Sequence, residues 1–231
     1  MPTVSTNKIS LATPFSACDD LILQFREGKI WCYVVKLLLP PWTGYFAFPG
    51  SMMKMEETLE DTMKRTYEDV GPQEAPKYAE QLYTFSSLKR DSRSRSISTA
   101  YMVPISPETT MNIQNHYKYE YGEWRELKAP GKLAFDHNDM ASLCLERIAE
   151  KLLLTTLSLF LLPKEFTLTE MQNLYEYSLE KKLDKRNFRK KILSLGIIEE
   201  TNKLKTGLRS RPAMLYRATH LEMKKISFMN E

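Results

Sequence analysis

Cysteine is scarce in this chain: Cys18, Cys32 and Cys144 are far apart and odd in number. That count excludes a disulfide framework and the spacing excludes a zinc motif, so a reducing, cytoplasmic setting is expected. Histidine is equally sparse, and His116, His137 and His220 offer no pair four residues apart. Residues 152–162 are apolar but too short to span a bilayer, and two Thr and one Ser interrupt them. They read as a buried connecting helix, and no membrane partner is expected. The first twenty residues lack a basic stretch followed by an apolar core, so no secretory signal is expected. Internal repeats and low-complexity runs are also missing.

Positive charge is present but concentrated. The 231 residues carry a net charge of only +4. Residues 181–217 alone hold 12 Lys and Arg against 3 Asp and Glu, a net of +9. Such a concentration suits the neutralisation of phosphates. A winged helix docking on a protein partner would not require it.

That basic segment contains Leu183-Asp-Lys-Arg-Asn-Phe-Arg-Lys-Lys-Ile-Leu-Ser-Leu-Gly196. Asp184 can cap a helix whose end Gly196 would mark. Phe188, Ile192 and Leu195 recur at i, i+4 and i+7, giving one apolar stripe. Arg186 and Lys190 point away from the stripe, with Asn187 and Arg189 on its flanks. Before it, Thr167-Leu-Thr-Glu170 is a capping-box pattern opening a helix to about Leu179. The short turn to Asp184 gives helix–turn–helix spacing. After it, residues 197–201 and 213–218 read as two short strands around a basic loop, residues 202–212. Two helices followed by a basic-tipped hairpin make a winged helix-turn-helix. In it Arg186 and Arg189 suit guanine and Asn187 suits adenine. Lys190, Lys203, Lys205, Arg209 and Arg211 suit phosphates.

The first 150 residues mix strands and helices. Residues 1–17 read as an N-terminal arm, and residues 20–26 and 29–39 as a hairpin about Glu27-Gly28. Residues 45–50 read as a short strand and residues 58–70 as a helix. Residues 80–85 and 96–105 read as strands, residues 106–125 as irregular, and residues 136–154 as an amphipathic helix. The expected organisation is α+β, with a first domain at 18–153, for which the family resemblance described below implies effector sensing, and a linker helix plus DNA-binding domain at 154–231.

Within residues 50–72 the spacing is specific. Gly50 is followed after five residues by Glu56, and after seven more by Lys64-Arg-Thr-Tyr-Glu-Asp-Val-Gly71-Pro72. This resembles a Nudix box, G-x5-E-x7-R-E-U-x-E-E-x-G-U with U bulky and apolar. Gly50, Glu56, Glu68 and Gly71 match, and Asp69 is conservative. Lys64 and Arg65, however, replace arginine and glutamate. In Nudix hydrolases that glutamate and the following acidic pair hold a divalent metal. A cation at Arg65 would repel one at about 4 Å by roughly 4 kcal/mol in partly screened surroundings. Glu56, Glu68 and Asp69 therefore read as the remnant of a metal site, and no catalytic residue is assigned. An ordinary helix with Asp61–Arg65 and Lys64–Glu68 pairs would also account for the charges.

Taken together, residues 20–218 resemble the Nudix-related transcriptional regulators typified by NrtR. The resemblance extends through Glu80-Gln-Leu-Tyr-Thr-Phe85, Arg90-Asp-Ser-Arg93, Ser98-Thr-Ala-Tyr101, Leu133-Ala-Phe-Asp-His137 and Arg211-Pro-Ala-Met-Leu-Tyr-Arg217. It implies a Nudix-like α/β/α sandwich fused to a winged helix, in a homodimeric repressor of double-stranded DNA operators. It implies a small-molecule effector, ADP-ribose in one branch with NAD-metabolism genes as targets, and sugar-utilisation genes in others. No cofactor is required on this reading. The rival is a Nudix hydrolase of ADP-ribose or another nucleoside diphosphate. For the effector, Arg90, Arg93 and Arg95 are candidates to meet phosphates, and Phe46, Phe48 or Tyr83 to stack on adenine. His137, next to Asp136 at a helix start, reads as structural.

Overall fold

The structure is a computed structural model that describes residues 13–72, 74–207 and 210–228. Strands β1 (Phe15–Arg26) and β2 (Lys29–Leu37) form the expected hairpin, with Glu27 and Gly28 both left-handed at the turn. The first strand starts at Phe15, inside the stretch expected as an arm; residues 1–12 of that arm lie outside the described residues. Strands β3 (Phe46–Ala47) and β4 (Gly50–Met52) follow, then α1 (Leu59–Glu68). Next come β5 (Glu80–Phe85), β6 (Ser96–Pro104) and β7 (Tyr119–Glu126). They build one sheet in the order β3-β2-β1-β6-β5, with β4 also on β1 and β7 also on β2. Its β1–β6 pair is parallel.

Alternation along β1 decides what lies on each face. Cys18 and Ile22 join Met63, Tyr67 and Val70 beneath α1. Leu21, Leu23 and Phe25 face the other way, with Met140, Cys144 and Ile148 of α2 (His137–Leu154). The result is an α/β/α sandwich.

Helix α2 stops at Leu154 rather than running on to 162. Thr155 is extended, and its hydroxyl turns back to donate to the Lys151 carbonyl. Thr156 accepts from Lys224 N–H through its hydroxyl and donates its own N–H to Lys224 O, so a C-terminal segment is stitched on. The expected connecting helix is thus broken, and only its last turn re-forms as α3 (Ser158–Leu161).

The C-terminal elements are β8 (Phe166–Thr167), α4 (Leu168–Leu179), α5 (Lys185–Ser194), β9 (Ile198–Gly207) and β10 (Ser210–Ala218). Thr167 and Glu170 form the capping box, and the Asp184 carboxylate accepts from Asn187 N–H at 2.9 Å. Strands β8, β10 and β9 make a small sheet. The hairpin is longer than expected: most of residues 202–212 is strand, with register shifts that absorb the irregular sequence. Leu174, Tyr175, Phe188, Ile192 and Tyr216 lie in the same continuous core as Leu21 and Met140. The two halves are therefore packed together, not merely tethered.

Candidate functional site

A cavity of about 380 Å³ opens beside β1, β4 and the start of α2. Its wall carries Lys54, Arg65, Arg90, Arg93 and Lys118 against the carboxylates of Asp19 and Asp91. Trp42, Phe48, Tyr117 and Phe135 add aromatic surface. Anionic and aromatic ligand chemistry suits such a lining.

Both glycines of the box spacing have a steric reason. A Cβ on Gly50 would lie 2.1 Å from Asp19 Oδ1, so only glycine lets β4 close on β1 there. Gly71 has a φ of +116°, and a Cβ on it would meet the Asn112 backbone at 2.3 Å.

Arg90 is not a free phosphate ligand. Its guanidinium is buried, donating to both Asp136 oxygens at 3.1 and 3.0 Å, to Ser96 Oγ at 3.2 Å and to Asp19 Oδ2 at 3.3 Å. Burial alone would raise the Asp19 pKa, but His137, Arg90 and the Ser98 hydroxyl together lower it. His137 accepts from Phe48 N–H through Nδ1 at 2.8 Å and stacks on the Phe48 ring, with Nε2 3.5 Å from Asp19 Oδ2. These groups hold the floor of the cavity.

The other sequence candidates are divided. Arg93 lines the cavity, paired bidentately with Asp91 and 5.4 Å above the Phe135 ring. Phe48 also lines it. Arg95 instead donates to the Ser86, Ser87 and Ser96 carbonyls and is not among the lining residues. Phe46 lies under the Arg125 guanidinium at 3.6 Å, outside the cavity. Tyr83 is exposed on β5, over a separate shallow depression.

Arg65 does not pair with Asp61, which serves the Thr58 cap. Arg65 Nε and Nη2 each donate to Glu57 at 2.7 Å, and Nη2 also donates to the Met52 carbonyl. Chiefly through that pairing, Glu57 is held at a pKa of about 2. Of the box remnant, Glu56 and Glu68 are exposed, and Asp69 caps α1 with His116 Nε2 at 3.6 Å. Among the described residues no three His, Cys, Asp or Glu side chains form a group able to hold a metal ion.

Lys118 and Trp42 escaped the sequence reading. The signal for Lys118 was the aromatic–polar alternation of residues 119–126, which marks the strand that carries it to the cavity.

On the other half, Arg186, Asn187, Arg189 and Lys190 are all exposed on α5, while Phe188 and Ile192 are buried. Lys185, Arg186 and Lys190 have no carboxylate partner among the described residues. Arg189 donates to Tyr216 Oη at 3.3 Å. Lys203 and Lys205 are engaged within the chain, by Glu165 and Glu170, each at 2.7 Å. Arg209 and the side chain of Arg211 lie outside the described residues.

Between the two regions, residues 127–136 join β7 to α2. At one end Phe135, left-handed with a φ of +54°, forms cavity wall. At the other, Lys128 Nζ donates to the Tyr177 carbonyl at 2.9 Å and to Glu180 at 2.6 Å, over the Tyr177 ring. It thereby holds the C-terminal end of α4, where a cation is favoured.

These features define a Nudix-like domain joined by one core to a winged helix. Residues 158–218 match the family described as the NrtR DNA-binding winged helix domain. Over 215 residues the chain is 31% identical to the ADPR responsive transcriptional repressor NtrR of Acinetobacter baylyi, covering 91% of this chain and 84% of that protein. The crystal structure of Shewanella oneidensis NrtR complexed with a 27mer DNA is similar, with a TM-score of 0.77 and 27% identity over 87% of this chain and 92% of that one. The NUDIX domain of the same protein complexed with ADP ribose shares the fold, with a TM-score of 0.54 and 23% identity over 62% of this chain and 94% of that one. The chain belongs to the NrtR family of Nudix-related transcriptional regulators. Among the described residues, no helix is long and apolar enough to cross a membrane.

Proposed function

We propose that this protein is a cytoplasmic, homodimeric repressor of NAD-metabolism genes whose operator binding responds to ADP-ribose. The observation that carries the reading is α5 itself. Phe188 and Ile192 pin one stripe in the core, while Arg186, Asn187 and Lys190 stand exposed on the other side. Presented to a major groove, that face supplies both base-reading and phosphate-holding groups. A two-fold dimer would read a near-palindromic site. The response to ADP-ribose is supported by the relative from Acinetobacter baylyi, named as ADPR responsive, and by the cationic, aromatic cavity.

The Nudix-like domain acts as a sensor without hydrolysis. Arg65 occupies the position where the box needs a carboxylate, and Glu57 fixes it there. The test is fluorescence anisotropy on the gene's own upstream DNA, with scrambled competitor, with and without ADP-ribose. Specific binding released by ADP-ribose is expected. Specific binding indifferent to ADP-ribose would move the effector to sugars or sugar phosphates, and Mg²⁺-dependent release of AMP would overturn the non-enzymatic reading.

A further inference from the structure

The Nudix fold implies a divalent metal, yet the residues at its position do not fit one. The carboxylate the box requires is a guanidinium, and no group of three suitable donors forms among the described residues. What the cavity offers instead is fixed protein cation. Lys118 is half-buried, and its ammonium donates to two neutral acceptors, the Gly50 carbonyl at 2.8 Å and Ser51 Oγ at 3.0 Å. No carboxylate lies within ion-pair distance of it among the described residues. An ammonium has three N–H donors; the third has no hydrogen-bond acceptor among the described residues, only the Tyr119 and Tyr117 rings at 5.1 and 5.6 Å, and can turn to a ligand. Burial lowers the Lys118 pKa, with Asp69 pulling the other way, and an arriving anion would offset that cost.

Arg65 faces the same space. Its Nε and Nη2 are committed to Glu57 and Met52, and Nη1 has no acceptor among the described residues. The Glu57 pairing fixes the fork in place, so the free edge is preorganised. Lys54 stands at the same wall. A diphosphate needs charge neutralisation and directional donors, and these groups supply both.

We propose that the cavity binds the phosphates of its ligand on Lys118 and the free edge of Arg65, with no divalent cation. This rests on the cavity being the effector site, and deepens that reading. Charge that a hydrolase borrows from a metal is here built into the chain. Such a site retains a diphosphate but lacks the metal-bound water that would cleave it.

The test is calorimetric titration of the full-length protein with ADP-ribose and, separately, with inorganic pyrophosphate, in EDTA and in Mg²⁺. ADP-ribose should bind in EDTA within about twofold of its affinity in Mg²⁺, because the cations are covalent parts of the wall. Lys118→Met should weaken both ligands by about tenfold or more, the loss of one charge-assisted contact. A requirement for Mg²⁺, or unchanged affinity in Lys118→Met, would overturn the inference, as would no binding of either probe in EDTA. The metal comparison needs no variant, so it decides even if Lys118→Met does not fold. Pyrophosphate binding in EDTA that Lys118→Met abolishes, with no ADP-ribose binding, would uphold the phosphate site and refute the effector.

Discussion

Replacing Arg90 with methionine keeps most of the side chain's volume and removes one guanidinium. Asp19 and Asp136, each only 11% exposed at the side chain, then lose their shared cation. Four hydrogen bonds go with it. Breaking a buried pair by deleting one partner costs about 3–5 kcal/mol, because the other charge stays buried. At about 2–4 °C per kcal/mol for a chain of this size, the melting temperature should fall by roughly 6–20 °C. Arg90→Lys should fall between, since an ammonium cannot span both carboxylates and Ser96 at once.

The pH dependence gives this reasoning a sharper edge. In the wild type the Asp19 pKa is depressed, so its contribution is complete above about pH 4 and is lost as pH falls through the folded value. Without Arg90, burial weighs more heavily against the charged form, and the folded pKa rises. His137 still favours the charged form, so the rise is partial, and the stability gap to the wild type should narrow between pH 7 and pH 5. Thermal unfolding followed by circular dichroism at the two pH values measures both effects. A gap below about 1 kcal/mol, or one that widens on acidification, would refute the idea that Arg90 holds the cavity floor electrostatically.

Two further outcomes concern DNA. Arg186→Ala and Asn187→Ala should each weaken operator binding by about ten- to a hundredfold while affecting scrambled DNA less; equal loss on both in anisotropy titrations would remove them from base reading. Lys190→Gln should lower the slope of log affinity against log salt by about one. Lys205→Gln should change that slope less, because Glu170 already neutralises Lys205; equal changes would mean that the pair opens on DNA.

What was legible in the sequence was local. Thr167 with Glu170, and Asp184 with Phe188 and Ile192, lie within a few residues of one another, and caps and periodicity report such relations directly. The glycine spacing of the box was legible because sterics at Gly50 and Gly71 leave no substitute. Illegible features depended on partners far along the chain. Strand β7 exists through pairing with β2, about ninety residues away, and its glutamates, which strands disfavour, outweighed the aromatic alternation. The break at Thr155 depends on residues 222–226 competing for its backbone and for that of its neighbours. Arg90 looked like a loop cation until Asp19, 71 positions earlier, was beside it. Lys203 and Lys205 looked free for phosphate because Glu165 and Glu170 come to them only through the fold.

Residues 127–136 have a mechanical consequence. Phe135 bounds the cavity, and Lys128, seven positions earlier, grips the end of α4 that leads into α5. One short piece of backbone therefore joins the cavity wall directly to the winged helix. A ligand that displaced Phe135 would pull on the winged helix along the chain itself. If the ligand changes the affinity for operator DNA, thermodynamic linkage requires the converse: the DNA changes the affinity for that ligand by the same factor. Seen from the cavity, the chromosome would then be an effector in its own right.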